Sequence, residues 1–205
     1  MKILIMGGFL GSGKTSVVIQ LAKFMAGENP DKPYKVVIIE NEIGEVGIDD
    51  KILSKIGYKV EGMFSGCVCC TISGELVLNV LDIMKNMNPD YIIMESTGVA
   101  YPNNIKEILE ESIKDIDCRI CCVTDAKRWK RLLKPMELLL KDQLKNADVI
   151  LINKVDAIDS DTLIEVDESV KTFNNTAQFF HVSAIEPIDS NILTQVLGQV
   201  EKGAV

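Results

Sequence analysis

Short, continuously apolar segments alternate along the chain with longer segments in which apolar residues recur at helical spacing. An unbroken apolar segment is typical of a β-strand that is covered on both faces. The apolar segments predict strands at residues 2–6, 35–39, 91–94, 119–124, 149–152 and 178–182. The amphipathic segments predict helices at residues 14–25, 74–86, 103–113, 135–145, 161–174 and 188–200.

This alternation is typical of βαβ units, so the predicted fold is α/β, with a mostly parallel central sheet flanked by helices in three layers. A chain of 205 residues can bury a sizeable core, and we predict a single domain over residues 1–205. Pro135 is expected in the first turn of its helix, and Ser160 and Asp161 are expected to cap the next one. Ligands of such folds bind at the carboxyl ends of the strands.

Composition and charge disfavour some of the molecules and surfaces that this protein could bind. The net charge is −8 and the acidic residues are spread along the chain, which disfavours nucleic-acid binding. The one basic stretch, 127–134, is expected to be a solvated helix face. No apolar run reaches the roughly 18 residues that a membrane span needs, and the N-terminal apolar run is too short for a signal peptide. We therefore expect a cytoplasmic protein, in which six cysteines do not form structural disulfides.

A phosphate-binding loop follows the first predicted strand. The sequence Gly-Phe-Leu-Gly-Ser-Gly-Lys-Thr at 8–15 matches the pattern G-x-x-x-x-G-K-[ST] and opens the first helix. Such a loop curls so that backbone N–H groups face phosphate oxygens, while the helix N-terminus adds partial positive charge. The lysine then supplies a full charge and the threonine hydroxyl binds Mg²⁺. The predicted nucleotide-binding residues here are Gly8, Gly11, Ser12, Gly13, Lys14, Thr15 and Ser16.

A candidate guanine-binding motif follows the predicted strand at 149–152. Asn153, Lys154 and Asp156 form the pattern N-K-x-D. The Asp156 carboxylate can accept from both N1–H and the N2 amino group of guanine, whereas adenine would leave it unpaired. Asn153 is expected to hold the loop and contact N7, and the Lys154 stem to cover the base. Ser183 and Ala184, after the last strand, fit a second base-contacting loop.

Acidic residues follow two other strands. Glu95 ends the strand at 91–94, where an acid can hold Mg²⁺ and the following Gly98 can reach the γ-phosphate. Most P-loop GTPases carry aspartate at that position. Residues 40–50 contain five acids and two glycines, which predicts an oxygen-rich loop able to close on Mg²⁺ and respond to the nucleotide. A solvated acidic loop is the alternative.

Three thiols lie within four residues, at Cys67, Cys69 and Cys70. In an extended segment the first two project to one side, and the third can join them if the chain turns. Thiolates favour Zn²⁺ and similar soft ions, and Glu42 or a water could be a fourth ligand. Buried thiols and a redox pair are the alternatives.

Three further cysteines and the single histidine are expected to be structural. Cys118, Cys121 and Cys122 lie within or beside a predicted strand, where cysteine behaves as a small apolar residue. His181 is expected at a structural or nucleotide-edge position rather than as a metal ligand.

Five segments, in this order, resemble the CobW-type metallochaperone GTPases, which are relatives of the hydrogenase and urease accessory GTPases. The resemblance extends over nearly the whole chain, and the Cys-x-Cys-Cys motif separates it from the urease and hydrogenase relatives. The segments are Gly-Gly-Phe-Leu-Gly-Ser-Gly-Lys-Thr at 7–15, Glu-Asn-Glu-Ile-Gly-Glu-Val-Gly-Ile-Asp at 40–49, Gly-Cys-Val-Cys-Cys at 66–70, Glu-Ser-Thr-Gly at 95–98 and Asn-Lys-Val-Asp at 153–156.

The resemblance implies a slow, Mg²⁺-dependent GTPase with catalytic residues Lys14, Asp49 and Glu95, in which Asp49 lies near Mg²⁺ and the attacking water. Glutamate at position 95 is typical of the group. The acidic loop and the thiols would carry Zn²⁺ or Co²⁺ between the nucleotide site and a client metalloprotein. Hydrolysis would accompany a conformational change or a nucleotide-dependent homodimer. Many relatives add a C-terminal domain and a histidine-rich stretch, so we expect a short form without a metal store.

Two other functions stay open. One is a GTPase chaperone or activator of a corrinoid or other metalloenzyme that carries no metal itself. The other is a small-molecule kinase, which is disfavoured because such enzymes often have arginine-rich lids and this chain has three arginines in one region.

Overall fold

The described part of the computed structural model consists of residues 1–28, 34–40, 59–62 and 73–198. Within it, seven strands form one sheet in which every pairing is parallel, in the order β3-β2-β4-β1-β5-β6-β7. The predicted α/β class and parallel sheet are therefore confirmed. The strands are β1 Lys2–Gly7, β2 Val36–Glu40, β3 Lys59–Gly62, β4 Tyr91–Glu95, β5 Asp117–Asp125, β6 Val149–Asn153 and β7 Gln178–Val182.

Six of these strands match the predicted ones, but β3 was not predicted. Its sequence, KVEG, has no apolar run, and it pairs only with β2 at the edge of the described sheet. An edge strand is held mainly by backbone hydrogen bonds to one neighbour, so hydrophobic patterning gives little sign of it.

Helices connect the strands. They are α1 Lys14–Glu28, α2 Ser73–Met87, α3 Pro102–Ser112, α4 Trp129–Leu144, α5 Ser160–Lys171 and α6 Ser190–Leu197, with a 3₁₀ turn at Val155–Ala157. No helix of the described ranges has the length and apolar character needed to cross a lipid bilayer.

One predicted helix start and one predicted helix cap are wrong. Helix α4 begins at Trp129 rather than at Pro135, because the buried Trp129 indole anchors an earlier turn. Pro135 lies inside the helix, and Met136 after it has non-helical angles, φ −125° and ψ 19°, which is a proline kink. Helix α5 is capped by Asp159 instead of Ser160 or Asp161, since its carboxylate accepts from the Thr162 N–H at 2.7 Å.

The core lies on both faces of the sheet. Successive strand residues alternate between the faces, so that Ile3 and Ile5 pack with helices α2 to α5 while Leu4 and Met6 pack with α1 and α6. The same alternation places Cys118 and Cys122 in the first layer and Cys121 in the second. All three are at most 3% exposed, which confirms that these cysteines pack in the core.

Candidate functional site

Residues at the carboxyl ends of the central strands converge around the loop between β1 and α1. Lys14, at the start of α1, is buried and its Nζ donates to the Gly8 carbonyl at 3.0 Å. Gly13 has a φ of +104°, and a Cβ there would lie 2.3 Å from Asn153 Nδ2. Only glycine fits this position, since the conformation disfavours a side chain and a side chain would strike Asn153. Ser16 follows in the first turn of α1 and is exposed.

Thr15 and Glu95 meet at the start of α1. The Thr15 hydroxyl donates to Glu95 Oε1 at 2.7 Å, and the Glu95 residue is 5% exposed at the end of β4. A carboxylate and a hydroxyl are oxygen ligands of the type that Mg²⁺ prefers. Their contact beside the lysine of the loop therefore fits a magnesium site and brings together two of the three residues predicted for Mg²⁺, the third being Asp49.

The segment after β4 lies against the phosphate-binding loop. The Ser96 hydroxyl donates to the Met6 carbonyl at 2.8 Å, and a Cβ on Gly98 would stand 2.5 Å from Leu10 N. Within the described residues, the hydroxyl oxygens of Ser12 and Thr97 are buried and have no hydrogen-bond partner. Buried polar groups are usually paired, so these two hydroxyls are consistent with a polar ligand at this edge.

Asn153 joins the three loops that the sequence assigned to the nucleotide. Its Nδ2 donates to the Ser12 carbonyl at 2.8 Å, and its Oδ1 accepts from the N–H groups of Lys154 at 2.8 Å and Ala184 at 2.9 Å. The side chain is buried, so each of these bonds is sheltered from water. One amide therefore fixes the phosphate loop, the N-K-x-D segment and the segment after β7 relative to one another.

The two base-contacting segments also meet directly. The Ser183 hydroxyl donates to Asp156 Oδ1 at 2.5 Å, which orients the carboxylate. Lys154 adopts a left-handed conformation, with φ +65°, and its Nζ donates to the Gly11 carbonyl at 2.6 Å. The structure thus brings together the predicted residues of both segments at the edge of the phosphate loop.

Asp125 and Arg128 are site residues that the sequence analysis missed. Asp125 ends β5 and is buried, and its Oδ2 accepts from Lys154 Nζ at 2.7 Å and Arg128 Nε at 2.6 Å. Burial alone would raise the pKa of Asp125, but the hydrogen bonds from Lys154 and Arg128 outweigh it and hold that pKa below its ordinary value. The prediction that 127–134 is a solvated helix face is wrong for Arg128, because its Nη2 donates to the Leu10 carbonyl at 2.6 Å. The other basic residues of 127–134 are exposed, as predicted.

Gln143, on α4, is the third residue that was missed. It is buried, and its Nε2 donates to the carbonyls of Gly98 at 3.1 Å and Ala100 at 3.0 Å. The Cys122 thiol donates in turn to the Gln143 carbonyl at 2.8 Å. A buried amide on α4 therefore holds the loop between β4 and α3 beside the phosphate loop.

The remaining sequence candidates divide into two groups. His181 pairs through Nε2 with Asp167 at 3.0 Å on the rim of β7, which is a structural contact. Glu42, Asp49, Cys67, Cys69 and Cys70 lie outside the described residues. Over the ranges that are described, no group of three or more His, Cys, Asp or Glu side chains could hold a metal ion.

Comparison with known proteins identifies the family. A model of the "CobW/HypB/UreG, nucleotide-binding domain" matches residues 2–181 of this chain. The chain belongs to the CobW/HypB/UreG family. That membership confirms the resemblance drawn from the five motifs.

Curated relatives carry names that concern zinc. The zinc chaperone YeiR of Escherichia coli (strain K12) is 32% identical over 152 residues, which are 73% of this chain and 45% of YeiR. The zinc-regulated GTPase metalloprotein activator 1 of Dictyostelium discoideum is 26% identical over 219 residues, covering 87% of this chain and 45% of the relative. The zinc chaperone CobW of Sinorhizobium sp is 29% identical and is covered to 54%. The chain thus spans about half the length of these relatives.

Solved structures of CobW/HypB/UreG proteins share the fold. The hydrogenase maturation factor HypB from Archaeoglobus fulgidus superposes with a TM-score of 0.70 at 16% identity, over 97% of this chain and 91% of HypB. The Zn(II)-bound YjiA GTPase from E. coli superposes with a TM-score of 0.68 at 24% identity, over 97% of this chain and 62% of YjiA. At these identities the likeness establishes the three-layer nucleotide-binding fold.

Proposed function

We propose that this chain binds GTP with Mg²⁺, hydrolyses it slowly, and uses the cycle to carry a transition metal to a client metalloprotein. Nucleotide binding is supported above all by the side-chain amide of Asn153, which hydrogen-bonds to the phosphate loop and to both base-contacting segments. Family membership supports the same assignment.

The phosphate end of the site would work through positioning and charge. Lys14, whose Nζ now donates to the Gly8 carbonyl at 3.0 Å, would place its ammonium on the β- and γ-phosphates. Thr15 would bind Mg²⁺ directly, and Glu95 would hold it directly or through a water. When bound, Mg²⁺ neutralises charge that develops on the phosphate oxygens. We assign Asp49 a role near the attacking water, as the family resemblance implies, and it completes the proposed catalytic set with Lys14 and Glu95.

The base end would select guanine through Asp156. Its carboxylate is held by Ser183 at 2.5 Å, so it is oriented before the base arrives. Guanine offers two neighbouring N–H donors to that carboxylate, and adenine offers none there, which leaves a carboxylate without a partner. Lys154 lies alongside, between the Gly11 carbonyl and Asp125, where its stem can cover the base.

The substitution Asp156→Asn tests this selection. Xanthine carries an oxygen where guanine has the N2 amino group, so an amide in place of the carboxylate matches xanthine and opposes guanine. We expect the variant to lose GTP affinity by at least about a hundredfold and to gain XTP affinity, on the scale of a lost charged hydrogen-bond pair. Asp161→Asn, at an exposed position of helix α5, is the matched control and should bind as the wild type does. Equal affinity of wild-type protein for ATP and GTP would overturn the assignment.

The metal part of the proposal concerns Cys67, Cys69, Cys70 and Glu42. Thiolates bind Zn²⁺ and Co²⁺ strongly, and the relatives named zinc chaperones support such a cargo. We expect Cys69→Ser to abolish stoichiometric Zn²⁺ binding while GTP binding persists. Cys118→Ala, in the core at 3% exposure, is the control and should bind Zn²⁺ normally. Unchanged Zn²⁺ affinity in Cys69→Ser would rule out the proposed thiolate site, whereas a wild-type protein that binds no Zn²⁺ would favour a chaperone that carries no metal.

The partners of the cycle are also proposals. A client metalloprotein would be recruited in the GTP state, and two copies of this chain would associate in the same state. The homodimer is tested by size-exclusion chromatography with light scattering, with GDP and with a non-hydrolysable GTP analogue. A monomer in both nucleotide states would exclude the homodimer.

A further inference from the structure

Three peptide groups of the phosphate loop are held from outside by side chains of other elements. In a planar trans peptide the C=O and N–H bonds point in opposite directions. A donor that fixes a carbonyl on the outer side of the loop therefore turns the N–H of the same peptide towards the inner side. In a loop that binds phosphate through N–H groups, such a contact sets the direction of a ligand-binding donor.

Asn153 supplies the first of these contacts. It donates to the Ser12 carbonyl at 2.8 Å, which orients the Ser12–Gly13 peptide and hence the Gly13 N–H. The preceding peptide is fixed differently, since Lys154 holds the Gly11 carbonyl at 2.6 Å while the Ser12 N–H donates to the Phe9 carbonyl at 3.1 Å within the loop. Both donors belong to the N-K-x-D segment.

Arg128 supplies the third contact, and it comes from a different element. Its Nη2 donates to the Leu10 carbonyl at 2.6 Å, so the Gly11 N–H of that peptide points away from the guanidinium. The same Nη2 lies 3.2 Å from the position that a Cβ on Gly11 would take, which places the guanidinium against the outer side of the loop. Neither guanine selection nor magnesium binding uses this residue.

The guanidinium is fixed before it reaches the loop. Asp125 holds Arg128 Nε at 2.6 Å through Oδ2 and the Arg128 backbone N–H at 3.0 Å through Oδ1. The Asp125 side chain is 1% exposed, so water competes little with these bonds. The next residue, Trp129, is buried and donates from Nε1 to the Ser169 hydroxyl at 2.9 Å, which anchors the start of α4.

We propose that Arg128 is a positioning residue of the phosphate loop: held by Asp125, it fixes the Leu10–Gly11 peptide so that the Gly11 N–H faces the phosphates of the nucleotide. The cation also polarises this peptide, which strengthens its N–H as a donor. An arginine suits the task because its planar fork reaches Asp125 and Leu10 together, whereas a lysine has one nitrogen for both. The inference rests on the proposed binding of guanine nucleotides.

The test compares Arg128→Met and Arg128→Lys with the wild type, and Arg131→Met, at an exposed position of the adjoining helix α4, is the matched control. GDP affinity and the ¹H–¹⁵N spectrum of the GDP complex are measured for each, with unfolding in denaturant without nucleotide as a check on folding. We expect Arg128→Met to weaken GDP binding about tenfold, Arg128→Lys to fall between it and the wild type, and Arg131→Met to stay within about twofold. The Gly11 amide signal should move in Arg128→Met, while the Gly13 signal, governed by Asn153, should not.

The outcomes separate this inference from the proposed function. Wild-type protein that binds no guanine nucleotide would overturn both. Wild-type binding with unchanged affinity and an unchanged Gly11 signal in Arg128→Met would overturn the positioning role alone. Weakened binding with an unmoved Gly11 signal would also overturn it, because Arg128 would then act on the phosphates directly.

Discussion

Replacing Gln143 by methionine should loosen the loop that faces the phosphate site. The buried Gln143 amide donates to the carbonyls of Gly98 and Ala100, and methionine has a similar length and no donor. The substitution therefore removes two hydrogen bonds without leaving a large cavity. The Gly98 segment borders Leu10 so closely that a Cβ on Gly98 would stand 2.5 Å from Leu10 N. Disorder in this segment should thus reach the phosphate loop.

The size of the effect follows from the burial of the two carbonyls. An unsatisfied buried polar group costs about 1–3 kcal/mol, and carbonyls tolerate the loss better than N–H groups do. For two carbonyls we expect Gln143→Met to lower the free energy of unfolding by about 2–4 kcal/mol. In a protein of this size, that corresponds to a fall in Tm of roughly 4–16 °C.

Two assays on the same variant check the reasoning. Equilibrium unfolding in urea measures the stability loss, with Lys141→Met, exposed on the same helix, as the control. Nucleotide titration then compares a GTP analogue with GDP, and the analogue should lose more affinity because the Gly98 segment is expected to reach the γ-phosphate. A stability change of less than about 0.5 kcal/mol would refute the argument, since that is the range of ordinary surface substitutions.

Three further predictions concern other parts of the site and core. Because the pKa of Asp125 is lowered in the folded protein, its ionised form stabilises the fold at pH values above its ordinary pKa of 3.8. This stabilisation is lost as the pH falls through the lower pKa of the folded protein. The difference in unfolding free energy between wild type and Asp125→Asn should therefore shrink below about pH 4, and a pH-independent difference would contradict this. Gly98→Ala should displace Leu10 and weaken GTP-analogue binding in a calorimetric titration, and wild-type affinity would argue against the close packing. Burial raises the thiol pKa to about 12 for Cys118 and Cys122, and well above its ordinary value for Cys121. Peptide mapping after alkylation at pH 8 should therefore find all three thiols unmodified in the folded protein and modified in urea. Alkylation of any of them in the folded protein would contradict this packing.

The fold and much of the site could be predicted because their signals are local in the sequence. Strand β1 is a continuous apolar run, and the loop after it has glycines and a lysine at fixed spacing. Parallel strands then bring Glu95 and Asn153 to one edge by topology alone. Strand β3 has no apolar run, so hydrophobic patterning does not predict it. The predicted start of α4 lies too far along the chain because proline is common in the first turn of a helix, whereas Pro135 here lies at a kink inside the helix.

Arg128 and Gln143 could not be found in the same way. Arg128 contacts Leu10 across 118 residues of sequence, and Gln143 contacts Gly98 across 45. Arg128 immediately precedes the amphipathic helix α4 and Gln143 lies on it, and most polar residues of such helices face solvent. Their roles depend on the packing of α4 against the sheet, which fixes side-chain directions that no short motif encodes.

The proposed function couples guanine nucleotide binding to transition-metal binding in this chain. A Co²⁺ titration of the reduced protein, followed by thiolate absorption, with GDP and with a non-hydrolysable GTP analogue, measures that coupling. We expect stoichiometric binding with a thiolate band and an affinity that differs between the two nucleotides. Nucleotide binding without a thiolate band in either state would contradict it, and would favour a GTPase chaperone that carries no metal.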